Sequence, residues 1–198
     1  TPEKNEKYLS TIYMKAQQVD QMIDDLLLYA KLDLNQLPFE FTETDVAEYL
    51  EQFLKQCEPD LENNQVNITL SNLLPHPRLV QLDRERIRRV LANILDNSLK
   101  YMNKQQRNVI FQLRETSSSV ILEIRDNGAG ISKEDIPYIF DRFYRSDVSR
   151  GEINGSGLGL AIAKQIIEGH QGRIWAVSHG TEGTSIIISL PKVKGGIR

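Results

Sequence analysis

The sequence has one cysteine, Cys57, in 198 residues, so no disulfide can close within the chain and a reducing compartment fits it. Histidine is nearly as scarce, with His76, His170 and His179 alone. No two of them stand at metal-ligand spacing and none lies close to Cys57, which argues against structural zinc. Three partly exposed histidines are expected instead. Long apolar runs are missing too: nothing approaches the ~20 residues that cross a bilayer. The first residues lack a signal-peptide pattern, so any membrane attachment is expected outside this stretch. A positive surplus is also absent. The net charge of -3 excludes a general nucleic-acid binder, which needs basic side chains to neutralise phosphates.

What is present is ordinary for a globular chain, 40% hydrophobic and 26% charged, without repeats or low-complexity tracts. The length suits one core with an added element. That element comes first. "TPEKNEKYLSTIYMKAQQVDQMIDDLLLYAKLD" predicts one long helix, with Thr1 as cap, Pro2 in the first turn, and Glu3 and Glu6 at the positive end. Leu9, Ile12, Ala16, Val19, Ile23, Leu26 and Ala30 recur at steps of three and four, flanked by Tyr13, Met22 and Leu27. That period is 3.5, the heptad of a seam between helices, although an ordinary amphipathic helix lying on its own domain remains the alternative. Pro38 then marks a linker.

From Phe39 the pattern alternates between strand and helix. "FEFTE" reads as a strand, with Thr42 or Thr44 capping a helix that runs to about Glu58, where Pro59 ends it. "VNITLSN" and "RLVQL" read as strands, and a helix follows from about Asp83 to Met102. "NVIFQLRET" and "SVILEIRDN" predict a hairpin around Ser117–Ser119, and a helix is expected near Lys133–Tyr144. The helix after the last glycine cluster ends near Gly169, and two strands close the chain. The expected class is α+β, a two-layer sandwich with a mixed sheet of about five strands on three helices, behind a long N-terminal helix.

Several short stretches carry chemistry. "GSGLGLAIAK" (155–164) runs three alternate glycines into a helix, a place where the backbone can approach a ligand and helix N–H groups favour an anion. On the helix from Asp83, Asn93, Asn97, Lys100 and Tyr101 share one face. Asn97 offers an oxygen suited to Mg²⁺, Lys100 a cation for phosphate, and Tyr101 a flat ring for a base. Asp126 ends a strand, followed by Gly128 and Gly130. Alone, that would be an Asp-Asn-Gly turn.

Taken in order, "NILDNSLKY" (93–101), "DNGAG" (126–130), "IFDRFYR" (139–145) and "GSGLG" (155–159) resemble the N, first glycine, F and second glycine boxes of sensor histidine kinases. The resemblance covers about Phe39 to the end. It implies the Bergerat ATP-binding fold, shared with type II topoisomerases, the ninety-kilodalton heat-shock chaperone and mismatch-repair ATPases. It implies ATP and Mg²⁺ as cofactors, and places Asn93, Asn97, Lys100, Tyr101, Asp126, Gly128, Gly130, Ile131, Arg145, Gly155, Ser156, Gly157, Leu158, Gly159 and Thr184 around the nucleotide. Asp126 would accept from the adenine amine, Asn97 would hold Mg²⁺, and Arg145, ahead of Arg150, would meet phosphate. Asn97, Lys100 and Arg145 are the catalytic set. Tyr144–Gly155 would form a lid, with Phe140 and Phe143 packing its hinge. Ser185 departs from the usual aromatic residue of the family, which bears on packing there.

The ending "LLLYAKLDL" similarly resembles the second helix of a dimerisation and histidine-phosphotransfer domain. That makes residues 1–34 part of such a domain, without its phosphoacceptor histidine, and 35–198 the catalytic domain. Thr1-Pro2 looks like the tail of a histidine box, but only one helix length follows before "YAKLDL", too short for a helical hairpin. Where related ATPases carry a water-activating glutamate, this chain has Asn93, and an amide is no general base. The implied reaction is transfer of the γ-phosphoryl of Mg-ATP to a histidine on a segment not present here, and onward to an aspartate of a response regulator. The parent is expected to be a homodimer, with this portion cytoplasmic and an anchor in a bacterial plasma membrane. A hydrolytic or chaperone-type ATPase and a non-catalytic nucleotide-binding module are the alternatives.

Overall fold

The computed structural model describes residues 2–34, 36–102, 104–145, 156–178 and 180–193. The expected roles of Thr1, Arg150, Gly155, His179 and most of the lid therefore lie outside the described residues.

Helix α1 spans Pro2–Asp33, as its heptad pattern predicts. A short ribbon pairs β1 (Thr42–Asp45) antiparallel with β3 (Leu79–Leu82), and α2 (Val46–Asn63) and β2 (Val66–Asn72) lie between them in sequence. Helix α3 (Arg84–Tyr101), the hairpin β4 (Arg107–Glu115) and β5 (Ser119–Asp126), helix α4 (Gly159–Gly169), β6 (Arg173–Ser178) and β7 (Thr184–Pro191) follow. The main sheet runs β2-β4-β5-β7-β6, parallel at β2/β4 and antiparallel elsewhere.

Strand alternation decides which face carries the core. Val109, Phe111 and Leu113 of β4, Val120, Leu122 and Ile124 of β5, and Ile186, Ile188 and Leu190 of β7 are buried with Leu50 and Phe53 of α2, Ile87, Leu91 and Ile94 of α3, and Ile162 and Ile166 of α4. The intervening residues Ile110, Arg125, Trp175 and Val177 are exposed on the other face. This is the mixed-sheet α+β sandwich expected from the sequence. No helix among the described residues is long and apolar enough to cross a membrane.

Three local expectations are corrected. The cap of α2 is Asp45, whose side chain accepts from the N–H groups of Ala47 and Glu48, while Thr42 and Thr44 belong to the strand. A carboxylate caps better there because it also meets the positive helix end. Pro59 does not end α2, which continues to Asn63. Buried Leu61 anchors the final turn, and Asn64 closes it through its backbone N–H and Nδ2, both donated to the Asp60 carbonyl. The segment expected to be helical near Lys133–Tyr144 forms only a 3-10 turn at Ile136–Tyr138. Pro137 removes one donor, and Phe143, at φ 60, leaves helical space.

Only the end of α1, from Asp25 onward, lies on the domain. Tyr29 and Leu32 are buried, Asp25 pairs with Arg89 of α3, and Gln165 of α4 donates to the Tyr29 hydroxyl (3.5 Å). The heptad residues Leu9, Ile12, Val19, Ile23 and Leu26 remain exposed.

Candidate functional site: two turns fastened to one polar helix face

Helix α3 begins at an Asp83 cap and buries Ile87, Val90, Leu91, Ile94 and Leu95 in the core, so the polar side chains between them are left at the margin of the sandwich. Along that margin α3 is fastened at three places. Asn93 Nδ2 donates to the Gly159 carbonyl at 2.9 Å, joining the helix to the start of α4. One turn on, the Ser98 hydroxyl donates to Asp126 Oδ2 at 3.4 Å. At its end, the Tyr101 carbonyl accepts from Ala129 N–H at 3.1 Å. The second glycine cluster and the "DNGAG" turn are thus brought to the same helix. Asn97 sits between them on α3, half-buried, with no side-chain hydrogen bond among the described residues.

Asp126 closes one end. Its Oδ1 accepts from the N–H groups of Gly128 (2.8 Å) and Thr184 (3.2 Å). Burial pushes the carboxyl above its usual range, while the bonds from Gly128, Thr184 and Ser98 pull it back. The turn beyond it is built from two close backbone approaches. Gly130 has φ +76, and a β-carbon there would lie 1.8 Å from the Gly180 carbonyl oxygen. Gly183 has φ +113, and its β-carbon would lie 2.0 Å from the Asp126 carbonyl oxygen. Ile131 N–H donates to Ser178 Oγ at 2.9 Å, holding the turn against β6.

At the other end, Phe143 N–H donates to the Gly157 carbonyl (3.0 Å), and Ser156 Oγ accepts from Leu158 N–H (3.2 Å). Leu158 is fully buried, which fixes where α4 begins. Arg145, two residues after Phe143, is half-buried. Lys100 is engaged differently from expectation: its ammonium pairs with Asp96 of the same helix at 2.5 Å. The Tyr101 ring is 38% exposed, and Gly155 lies outside the described residues.

Sequence reasoning did not single out Ser98, Ser178, Gly180 or Gly183. Gly183 carried a signal, as the residue before Thr184 in "GTEGTS"; Ser98 carried one in standing next to Asn97. His170 corrects the expectation of exposed histidines, for it is buried between α3 and α4. Ser185, in place of an aromatic, is buried with its hydroxyl donated to Glu123 at 2.7 Å. No cluster of three or more His, Cys, Asp or Glu side chains able to hold a metal exists among the described residues.

Residues 82–194 match the family described as histidine kinase-, DNA gyrase B-, and HSP90-like ATPase. The sensor histidine kinase WalK of Bacillus subtilis is 32% identical over 188 residues, covering 93% of this chain and 30% of that protein. The chain therefore spans less than a third of that relative's length. Among solved structures, full-length ShkA in complex with AMPPNP superimposes with a TM-score of 0.81 at 20% identity, over 94% of this chain and 38% of the other. Histidine kinase ThkA in complex with the response regulator protein TrrA gives 0.78 at 23% identity, over 99% and 54%. At those identities the two structures speak to the fold.

Proposed function

Because this chain belongs to the histidine kinase-, DNA gyrase B-, and HSP90-like ATPase family, we propose that it is the ATP-binding, phosphoryl-donating part of a sensor histidine kinase. The observation that carries the reading is the fastening of α3 to both the Asp126 turn and the glycine cluster. That arrangement sets a buried carboxylate acceptor at one end of a polar helix face and a helix start at the other. In this reading Asp126 Oδ2 accepts the adenine amine, Thr184, Gly128, Gly130 and Ile131 shape the base pocket, and Tyr101 flanks it. Ser156, Gly157, Leu158 and Gly159 present the start of α4 to the triphosphate, with Gly155 and Arg145 beside them. Lys100 would exchange Asp96 for a phosphate oxygen.

The donor set fits Mg²⁺. Asn97 offers one neutral oxygen without a partner among the described residues, and magnesium is commonly held by one or two side chains with phosphate oxygens and waters. When bound, the ion would neutralise charge on the phosphates. Asn93 supplies no base for water, and its amide nitrogen is committed to Gly159, so the terminal phosphoryl is left for a better nucleophile. We assign that role to a histidine on another segment of the parent protein, with residues 1–34 as the second helix of its dimerisation domain and 35–198 as the catalytic domain. The named relative is a sensor kinase, and ThkA is seen with a response regulator. A response-regulator aspartate as final acceptor, a homodimeric parent and a membrane anchor beyond this chain follow from the same reading.

The test is calorimetric and radiochemical. Binding of Mg-AMPPNP is expected in the intact chain. Asp126→Asn is expected to weaken it about tenfold or more, the loss of one charged acceptor. Asn97→Ala should remove the magnesium dependence and abolish phosphoryl transfer to an added histidine-bearing helical hairpin. Parent-like transfer by both variants overturns the assignment. Rapid steady-state phosphate release without a histidine acceptor would favour the hydrolytic alternative.

A further inference from the structure

Among the described residues, helix α1 meets the glycine cluster of the proposed nucleotide site through the carboxylate of Asp25. Asp25 is largely buried, with 13% of its side chain exposed. Its Oδ1 accepts from Arg89 Nη2 of α3 at 2.5 Å and from Gln21 Nε2 at 3.1 Å. Its Oδ2 accepts from the hydroxyl of Ser156 at 3.3 Å. Ser156 belongs to the glycine cluster, and the same oxygen already accepts from Leu158 N–H.

A serine hydroxyl has one proton to give. Here that proton points at Asp25. Phosphate oxygens at neutral pH are chiefly acceptors, so a phosphate bonded through Ser156 must take the proton that Asp25 now holds. The two contacts exclude each other. Docking of α1 is otherwise secured by buried Tyr29 and Leu32, the Gln165 bond to Tyr29, and Arg142, whose guanidinium lies 5.2 Å from the Tyr29 ring centre and 4.0 Å from Asp33. Arg142 and Ser156 thus join α1 to the two stretches of chain that lead into and out of residues 146–155.

Resting on the nucleotide reading above, we infer that Asp25 is a positioning residue of the site: it holds the Ser156 hydroxyl away from phosphate while α1 is docked, so nucleotide and helix oppose each other. Linkage makes the effect reciprocal. Nucleotide loosens the docked end of α1 by the factor by which docking weakens nucleotide.

The experiment is a double-mutant cycle on the intact chain, with Mg-AMPPNP affinity measured by calorimetry. Asp25→Ala is expected to bind the analogue roughly three- to tenfold tighter, the range of one ordinary hydrogen bond. In a Ser156→Ala background the same change should give no gain, which a purely structural role of Asp25 would not produce. A second measurement needs no variant: amide exchange across residues 25–33 of the parent chain should rise when the analogue saturates it. Weaker or unchanged binding by Asp25→Ala, an equal gain without the Ser156 hydroxyl, or unaltered exchange on saturation each overturns the inference and leaves the nucleotide reading standing. Failure of every form, the parent included, to bind the analogue removes the nucleotide reading and the inference with it.

Discussion

Asp126 uses its two oxygens differently: one accepts from two backbone donors, and the other is met, among the described residues, only by a long bond from Ser98. Holding it this way depends on Gly183, where the chain turns back against the Asp126 carbonyl. Alanine at that position would have to occupy a positive φ with its β-carbon inside a carbonyl contact distance. Gly183→Ala is expected to cost about 2 kcal/mol or more in urea unfolding and to weaken nucleotide binding together with stability. A second residue-scale expectation lies at the far end of the sheet. Glu115 accepts from Arg78 and Lys192, whose hydrogen bonds, aided by their charges, hold its carboxyl down at about 2. A depressed folded value means the stabilisation is complete above the ordinary value of 4.5 and is lost as pH falls toward 2. Glu115→Gln should therefore flatten the fall of urea midpoint with pH over that window; an unchanged slope would refute it.

Several elements meet at His170. Its Nδ1 donates to the Ile166 carbonyl at 2.7 Å and its Nε2 accepts from Asp83 N–H at 3.0 Å, which makes the ring neutral. The edges of Phe39 and Phe41 meet it, and Asp83 accepts from Glu40 N–H, so α3, α4 and the segment before β1 share one knot. Burial lowers the imidazole below its ordinary 6.5. The unfolded chain then takes up a proton first, and stability is expected to fall as pH drops below about 6.5, with a shallower fall in His170→Gln by chemical denaturation at several pH values. The periodicity of α1, α3, α4 and the hairpin was legible because apolar spacing decides them locally. The 3-10 turn at Ile136–Tyr138 was not, since "EDIPYIFDRFYR" keeps a helical rhythm that Pro137 and Phe143 override. The α2 end at Asn63 was hidden for the opposite reason: burial of Leu61 outweighs a proline that would stop an isolated helix. In the site, Asn93, Asp126 and the glycines could be read from short motifs. Ser98, Ser178 and Asp25 could not, because their partners are 28, 47 and 131 residues away and only the sheet and helix packing bring them together.

For the molecule as a whole, the core settles the end of α1 and leaves most of its described side chains bare. Leu9, Ile12, Val19, Ile23 and Leu26 form an exposed apolar stripe longer than a monomer ordinarily tolerates. Concentration-dependent association through this stripe is expected in sedimentation measurements, and removal of residues 1–34 should leave a monomer that keeps its fold; a dimer that survives the truncation would contradict it. In the function proposed above, the stripe's partner is the companion helix of a dimerisation domain.

The stapling of the linker has a mechanical corollary. Arg86 lies over the Phe39 ring and donates to the carbonyls of Leu37 and Pro38, while Phe39 rests where Gly169 leaves room for it. The chain is therefore riveted from Leu37 onward. Any swing of the leading helix must be taken up ahead of Leu37, and it has first to draw Tyr29 and Leu32 out of the core.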